Sequence, residues 1–315
     1  MPIFFYQSLN SNSSNQHGIS ASKAQRFTRD THDAQAATSQ AWKLSMPTAP
    51  GATPETPVHG PAQLVKSAAQ GYMGKGQHSD HQFLAMVEGK ARDTHQHLVR
   101  QFGRSCDLLV YGELDGNNAE WSSMQSHAGN LVVASSTGKA CNSFSVHASN
   151  TSSHEFLGSG MGWIAIKSGN VNAVFVHVPN AIAKSEDAAV SFYQTINREL
   201  VAKGKGAIDI VMGDTNQASP EFTPRVLSRA LGAVCRNATN PTDLTPMDSH
   251  NRSFKGTNSN ATKMYDVAVY NSASVSIGKE AYLSQSTAVS SNEKNLAAAV
   301  TDHMGIAIEV TKTAS

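Results

Sequence analysis

A chain of 315 residues can hold one large domain or two average ones, and a net charge of +1 gives it no global basic field, so any polyanion site must be local. Its three cysteines, Cys106, Cys141 and Cys235, are widely spaced and form no CxxC pair, which argues against a zinc ribbon or a disulfide scaffold. No apolar run reaches membrane-spanning length, and the start, MPIFFYQSLNSNSSNQ, lacks the basic region and long apolar stretch of a secretory signal peptide.

In chain order, PIFFYQSLN reads as a short strand running into Asn10. From 11 to 77 the texture changes to Ser, Thr, Ala, Gly and Pro, with five of the eleven prolines in MPTAPGATPETPVHGPAQ. This block reads as an extended or mobile insertion, with room for short helical pieces near 21–29 and 64–70. A hydrophobic fraction of 39% fits a chain in which part of the length is not core. The expected division is therefore 1–10 as the first strand, 11–77 as the insertion, and 78–315 as the main body.

Apolar residues at Phe83, Leu84, Val87, Ala91, Leu98 and Phe102 follow helical spacing, and Gly103 is placed to cap that helix. CDLLVYGELDG then reads as a strand ending on Glu113, followed by strands in NLVVASS, GWIAIKSG and NAVFVHVPN. SEDAAVSFYQTINRELVAKG is a helix with Ser185 as N-cap, Glu186 and Asp187 complementing its dipole, and Gly204 as its stop. IDIVMGDTNQ is a strand that ends on Gly-Asp-x-Asn, TPRVLSRALG a third helix, and MYDVAVYN and TDHMGIAIEV two further strands. Many strands with few helices between them predict a layered α/β sandwich.

Chemistry-bearing residues collect where the apolar strands stop: Glu113, His177, Asp214 with Asn216, Asp266, and Asp302 with His303. Each has a plainer reading. Asp214 and Asn216 are ordinary turn residues. His177 could be a satisfied core histidine, and Asp302 with His303 a polar strand entry. A second group, His78, His81, His95 and His97 with Asp80 and Asp93, matches no known metal spacing and reads as a solvated helix face.

The order along the chain decides between these readings. A strand ending in Glu, an HxP segment, GDxN, a Tyr-Asp strand and a C-terminal TDH together resemble the endonuclease/exonuclease/phosphatase superfamily, and within it the catalytic B subunits of cytolethal distending toxins. The stretch from VFVHVPN through MGDTNQASP carries the resemblance best, supported by SHNRSFKGTNSNATKMYDVAVYN and VTDHMGIAIEV; it runs from about 81 to 312.

That resemblance implies a DNase I-like fold, a four-layered α/β sandwich of two packed, mainly antiparallel sheets flanked by helices. It implies a Mg²⁺-dependent phosphodiesterase, with Mn²⁺ as a substitute, because phosphoryl chemistry needs a hard cation held by few oxygen ligands. Glu113, Asp302 and Asn10 are the implied metal ligands. Asp214 would orient or deprotonate the attacking water, and Asn216 would hold the water or a phosphate oxygen. His177 would bind the phosphate, with Asp266 orienting it, and His303 would be the second imidazole.

Two departures stand out. Gly112 precedes Glu113 where the family usually has Gln, and no arginine lies between Arg104 and Arg198 to clamp a phosphate, leaving Lys139, Lys167 and Lys184. The expected function is a nuclease acting as a toxin or effector that nicks DNA. It would be exported by a signal-independent route, act inside a target cell and depend on carrier or delivery proteins. A phosphoinositide or other phosphomonoester phosphatase on the same fold, and a non-catalytic binding module, are the alternatives.

Overall fold

A computed structural model describes residues 1–8, 98, 99, 102–104, 106–114, 130–134, 143–148, 150–217, 219, 221–238, 265–283, 286–288, 297–299 and 305–313. The strands are β1 Ile3–Ser8, β2 Leu108–Leu114, β3 Asn130–Ala134, β4 Ser143–Ala148, β5 His154–Gly160, β6 Trp163–Ser168 and β7 Val171–His177. They continue with β8 Ile210–Asp214, β9 Cys235–Asn237, β10 Asp266–Asn271, β11 Val275–Leu283, β12 Ser286–Ala288, β13 Ala297–Ala299 and β14 Gly305–Lys312. The helices among these residues are α1 Asn180–Ala183, α2 Glu186–Ala202 and α3 Phe222–Leu231.

Two six-stranded sheets form the body, ordered β11-β14-β1-β2-β4-β3 and β5-β6-β7-β8-β10-β9. Pairing is antiparallel except at β1·β2 and β7·β8, which are parallel. The expected sandwich of mainly antiparallel sheets is therefore present. α2 and α3 flank the second sheet, contributing Ala189, Val190, Tyr193, Ile196, Leu200, Val226 and Leu227 to the core. Of the helix expected over 83–102, the described residues are Leu98, Val99 and Phe102. All three are helical, Leu98 and Phe102 are buried, and Gly103 closes the turn with φ +75 and a bond from its N–H to the Val99 carbonyl.

Strand alternation explains how the sheets face each other. In β1, Phe4 and Tyr6 enter the inter-sheet core, as do their register partners Leu108 and Val110 in β2 and Ile308 and Ile306 in β14. Phe5, Tyr111 and Ala307, one residue out of step, point to the other face of the first sheet and are buried as well. From the second sheet Phe175 meets Phe4 edge to face, ring centroids 6.2 Å apart. A buried aromatic of this kind contributes roughly 2–3 kcal/mol by burial.

Helix ends follow local chemistry. The Ser185 hydroxyl caps α2 by accepting from Ala188 N, and Gly232 closes α3 in the left-handed conformation at φ +64. At the start of β8 the carboxylate of Asp209, 2% exposed, accepts from Asn172 N at 2.9 Å and from Lys312 Nζ at 2.6 and 2.7 Å, tying the last strand of the chain to the second sheet.

The sequence reading left out β4, β5, β9, β11, β12 and β13. β5 (HEFLGSG) is a short edge strand with a register shift between Phe156 and Gly158, and β11 has one between Ile277 and Glu280, so neither shows clean alternation. The insertion 11–77 lies outside the described residues. No helix among those described is long and apolar enough to cross a membrane.

Removing the ring at the sheet–sheet contact tests this packing. Phe175→Ala is expected to lower the unfolding free energy by about 3–5 kcal/mol, read as a reduced urea midpoint at unchanged slope.

Candidate active site

Strand direction gathers the site. The parallel pairs β1·β2 and β7·β8 end at one pole of the sandwich, and β10 and β14, antiparallel to their neighbours, begin there. His177 is the register partner of Asp214, and Asp214 is the partner of Asp266, so the three lie in one row across β7, β8 and β10. That row continues the alternation that points Phe175 at the first sheet.

Glu113 reaches the row by breaking its strand. Regular pleating puts Val110 and Gly112 on the inner face and Glu113 on the outer one. A register shift between Tyr111 and Leu114, with φ +56 at Glu113, turns its side chain inward. A non-glycine residue in this conformation costs of order 1–3 kcal/mol and persists where the surroundings impose it. Once inside, Glu113 Oε2 accepts from Ser8 Oγ at 2.8 Å, and Oε1 lies 3.9 Å from His177 Nε2.

Asp214 Oδ2 also lies 3.9 Å from His177 Nε2. Its Oδ1 accepts from the backbone N–H of Asn216 at 2.8 Å, and Asn216 takes φ +53, a conformation Asn tolerates. Asn216 Nδ2 donates to the Val178 carbonyl at 2.9 Å. GDTN is thus a turn and a presented carboxylate together: one oxygen closes the turn and the other faces the imidazole. Gly213, at φ +142, is required because a Cβ there would run into the Val176 backbone.

Glu113, His177 and Asp214 each offer a ligand atom, and these atoms lie within 4.8 Å of one another. Separations of 3.9 Å are too long for direct hydrogen bonds and leave room for an ion or a phosphate oxygen. Two carboxylates and an imidazole fit a divalent cation. The oxygens suit Mg²⁺, and the nitrogen broadens the set toward Mn²⁺ and related metals.

The structure therefore brings together Glu113, His177 and Asp214, with Asp266 one strand beyond Asp214 and Asn216 in the adjoining turn. Asn10, Asp302 and His303 lie outside the described residues, as do His78, His81, His95 and His97. Ser8, which contacts Glu113 directly, was not singled out in the sequence. The available signal was its position at the end of an apolar strand, two residues before Asn10. Tyr6 was missed in the same way. It is fully buried, and its phenol is held well above the usual range, first by burial and then by Asp214 and Asp266.

No family model and no curated protein matches the sequence. Solved structures do match. An endonuclease/exonuclease/phosphatase family protein from Bacteroides thetaiotaomicron is 12% identical, covering 68% of this chain and 86% of that one, at a TM-score of 0.43. A mannosyl-6-phosphatase from Bacteroides thetaiotaomicron is 12% identical over 68% of this chain and 88% of that one, at 0.42. A 3′–5′ exonuclease from Neisseria meningitidis is 13% identical over 68% and 92%, at 0.40.

Clustered carboxylates repel, so neutralising one should stabilise the ion-free protein while removing a ligand. Glu113→Gln is expected to raise the thermal midpoint in EDTA, by about 1 kcal/mol of stability, and to abolish the further rise that Mn²⁺ gives the wild type. Differential scanning calorimetry with and without Mn²⁺ measures both.

Proposed function

We propose that the protein is a divalent-cation-dependent phosphodiesterase, a DNase I-like endonuclease that nicks DNA as a toxin or effector inside a target cell. The observation that carries this reading is the convergence of Glu113, His177 and Asp214 at one pole of the sandwich, within 4.8 Å of one another. The order of motifs along the chain supports it further.

In this reading Glu113, oriented by Ser8, is the principal ligand of Mg²⁺ or Mn²⁺, with Asp302 and Asn10 as further ligands. The bound cation supplies positive charge to the phosphate oxygens as negative charge develops on them. Asp214 orients the attacking water through the oxygen that the turn leaves facing the site, and takes up its proton. Asn216, anchored on Val178, steadies the water or a phosphate oxygen. His177 donates to the phosphate from a position between the two sheets, with its Nε2 3.9 Å from a carboxylate oxygen of Glu113 and of Asp214. His303 is the second imidazole, and Asp266 orients His177. DNA is the substrate, and delivery depends on carrier proteins.

Relaxation of supercoiled plasmid tests the reading. The wild type should nick in Mg²⁺ and stop in EDTA, and His177→Ala should lose about 10²–10⁴-fold in rate, as expected for a group that donates a proton or hydrogen bond in the transition state. Asp214→Asn should lose at least as much. Absence of nicking by folded wild type would overturn the nuclease, and release of phosphate from phosphoinositides would then identify the lipid phosphatase in its place.

A further inference from the structure

The inner face of β1 carries Phe4, Tyr6 and Ser8 toward the second sheet, all completely buried, with the Tyr6 ring packed in the apolar core. Its ring leans along the strand toward the site pole. The hydroxyl lies beside Ser8 and against Gly112, where a Cβ would collide with it. Ser8 is the hydrogen-bonding side chain that acts on it, in a pairing that falls short of regular hydrogen-bond geometry. A buried hydroxyl in that state opposes folding, and a phenylalanine would fill the same space without the cost. The polar atom therefore calls for an explanation outside packing.

Its surroundings supply one. Ser8 donates to Glu113, and the phenol also feels the charges of Asp214, Asp266 and Glu113. Burial and these carboxylates keep it protonated, so it remains a neutral donor. A neutral donor can take up a carboxylate lone pair without discharging the carboxylate, whereas a lysine or arginine there would compete with a cation.

We infer that Tyr6 is a positioning residue for the carboxylate cluster, its hydroxyl being the donor that supports Ser8 and Glu113 from within the sandwich in a space kept open by Gly112. This rests on the proposed reading of the cluster as a divalent-cation site. Tyr6 touches neither cation nor substrate. It fixes the orientation of the groups that do, as outer partners of metal ligands generally do.

The test is Tyr6→Phe, which deletes one oxygen. Mn²⁺ binding is measured by calorimetry on the purified chain, alongside the thermal midpoint in EDTA and the hydrolysis of bis(4-nitrophenyl) phosphate. The expected result is Mn²⁺ binding weakened about 10-fold, kcat lowered at unchanged KM, and an EDTA midpoint equal to or above that of the wild type. Gly112→Ala should produce a similar loss by displacing the hydroxyl, and should add little in the Tyr6→Phe background, because the two changes act on one contact. Equal Mn²⁺ affinity in wild type and Tyr6→Phe would overturn the inference alone. Weaker binding together with a lowered EDTA midpoint would reassign Tyr6 to packing and also overturn it. Failure of the wild type to bind Mn²⁺ would overturn the cation-site reading and this inference with it.

Discussion

Where β7 and β8 run side by side in the same direction, His177 falls opposite Asp214, and nothing else at the site is arranged without that pairing. A parallel pair brings two strand ends to the same edge, which an antiparallel hairpin cannot do. The second parallel pair, β1·β2, does the same for Ser8 and Gly112 in the facing sheet. Because Phe4 and Phe175 lock the sheets face to face, the two edges meet at one pole. Helices α1 and α2 follow β7 and return the chain for β8, as a parallel connection requires.

The same gathering is electrostatically unfavourable in an ion-free protein. Glu113 and Asp214 each place an oxygen 3.9 Å from one imidazole nitrogen, and Asp266 stands beside Asp214. The backbone adds to the load at Glu113, held at φ +56 by a break in β2. Strain and like charge concentrated at one spot both oppose stability there. The hydrophobic interior compensates: β1, β7 and β8 are buried along their whole lengths. A rigid apolar platform is what allows the polar ends to be held a few ångströms apart without collapsing onto one another.

Much of this was legible in the sequence because the central strands are continuous apolar runs that stop on charged residues. VNAVFVH and IVMGD show both signals, and the helix between them carries its own cap and acidic first turn. What escaped were elements whose pattern is interrupted. β5 is an edge strand with polar ends, and β11 is broken by a register shift. At the site, Glu113, His177 and Asp214 could be read from their strand ends, but Ser8 and Tyr6 could not. Their roles depend on which strands are neighbours, and that information is distributed between β1, β2 and β8. The turn at Gly-Asp-x-Asn was legible in both its senses, and the structure satisfies the two at once through the separate oxygens of Asp214.

The contact between Asp209 and Lys312 sits at the opposite end of β8 from Asp214. Five residue steps of extended chain separate the two carboxylates, a span of about 17 Å. The charge pair is satisfied from both sheets, since Lys312 ends β14 and Asn172 lies in β7. It therefore fastens the two sheets to each other at the end of β8 farthest from Asp214, so their separation is held at a point remote from the carboxylates as well as beside them.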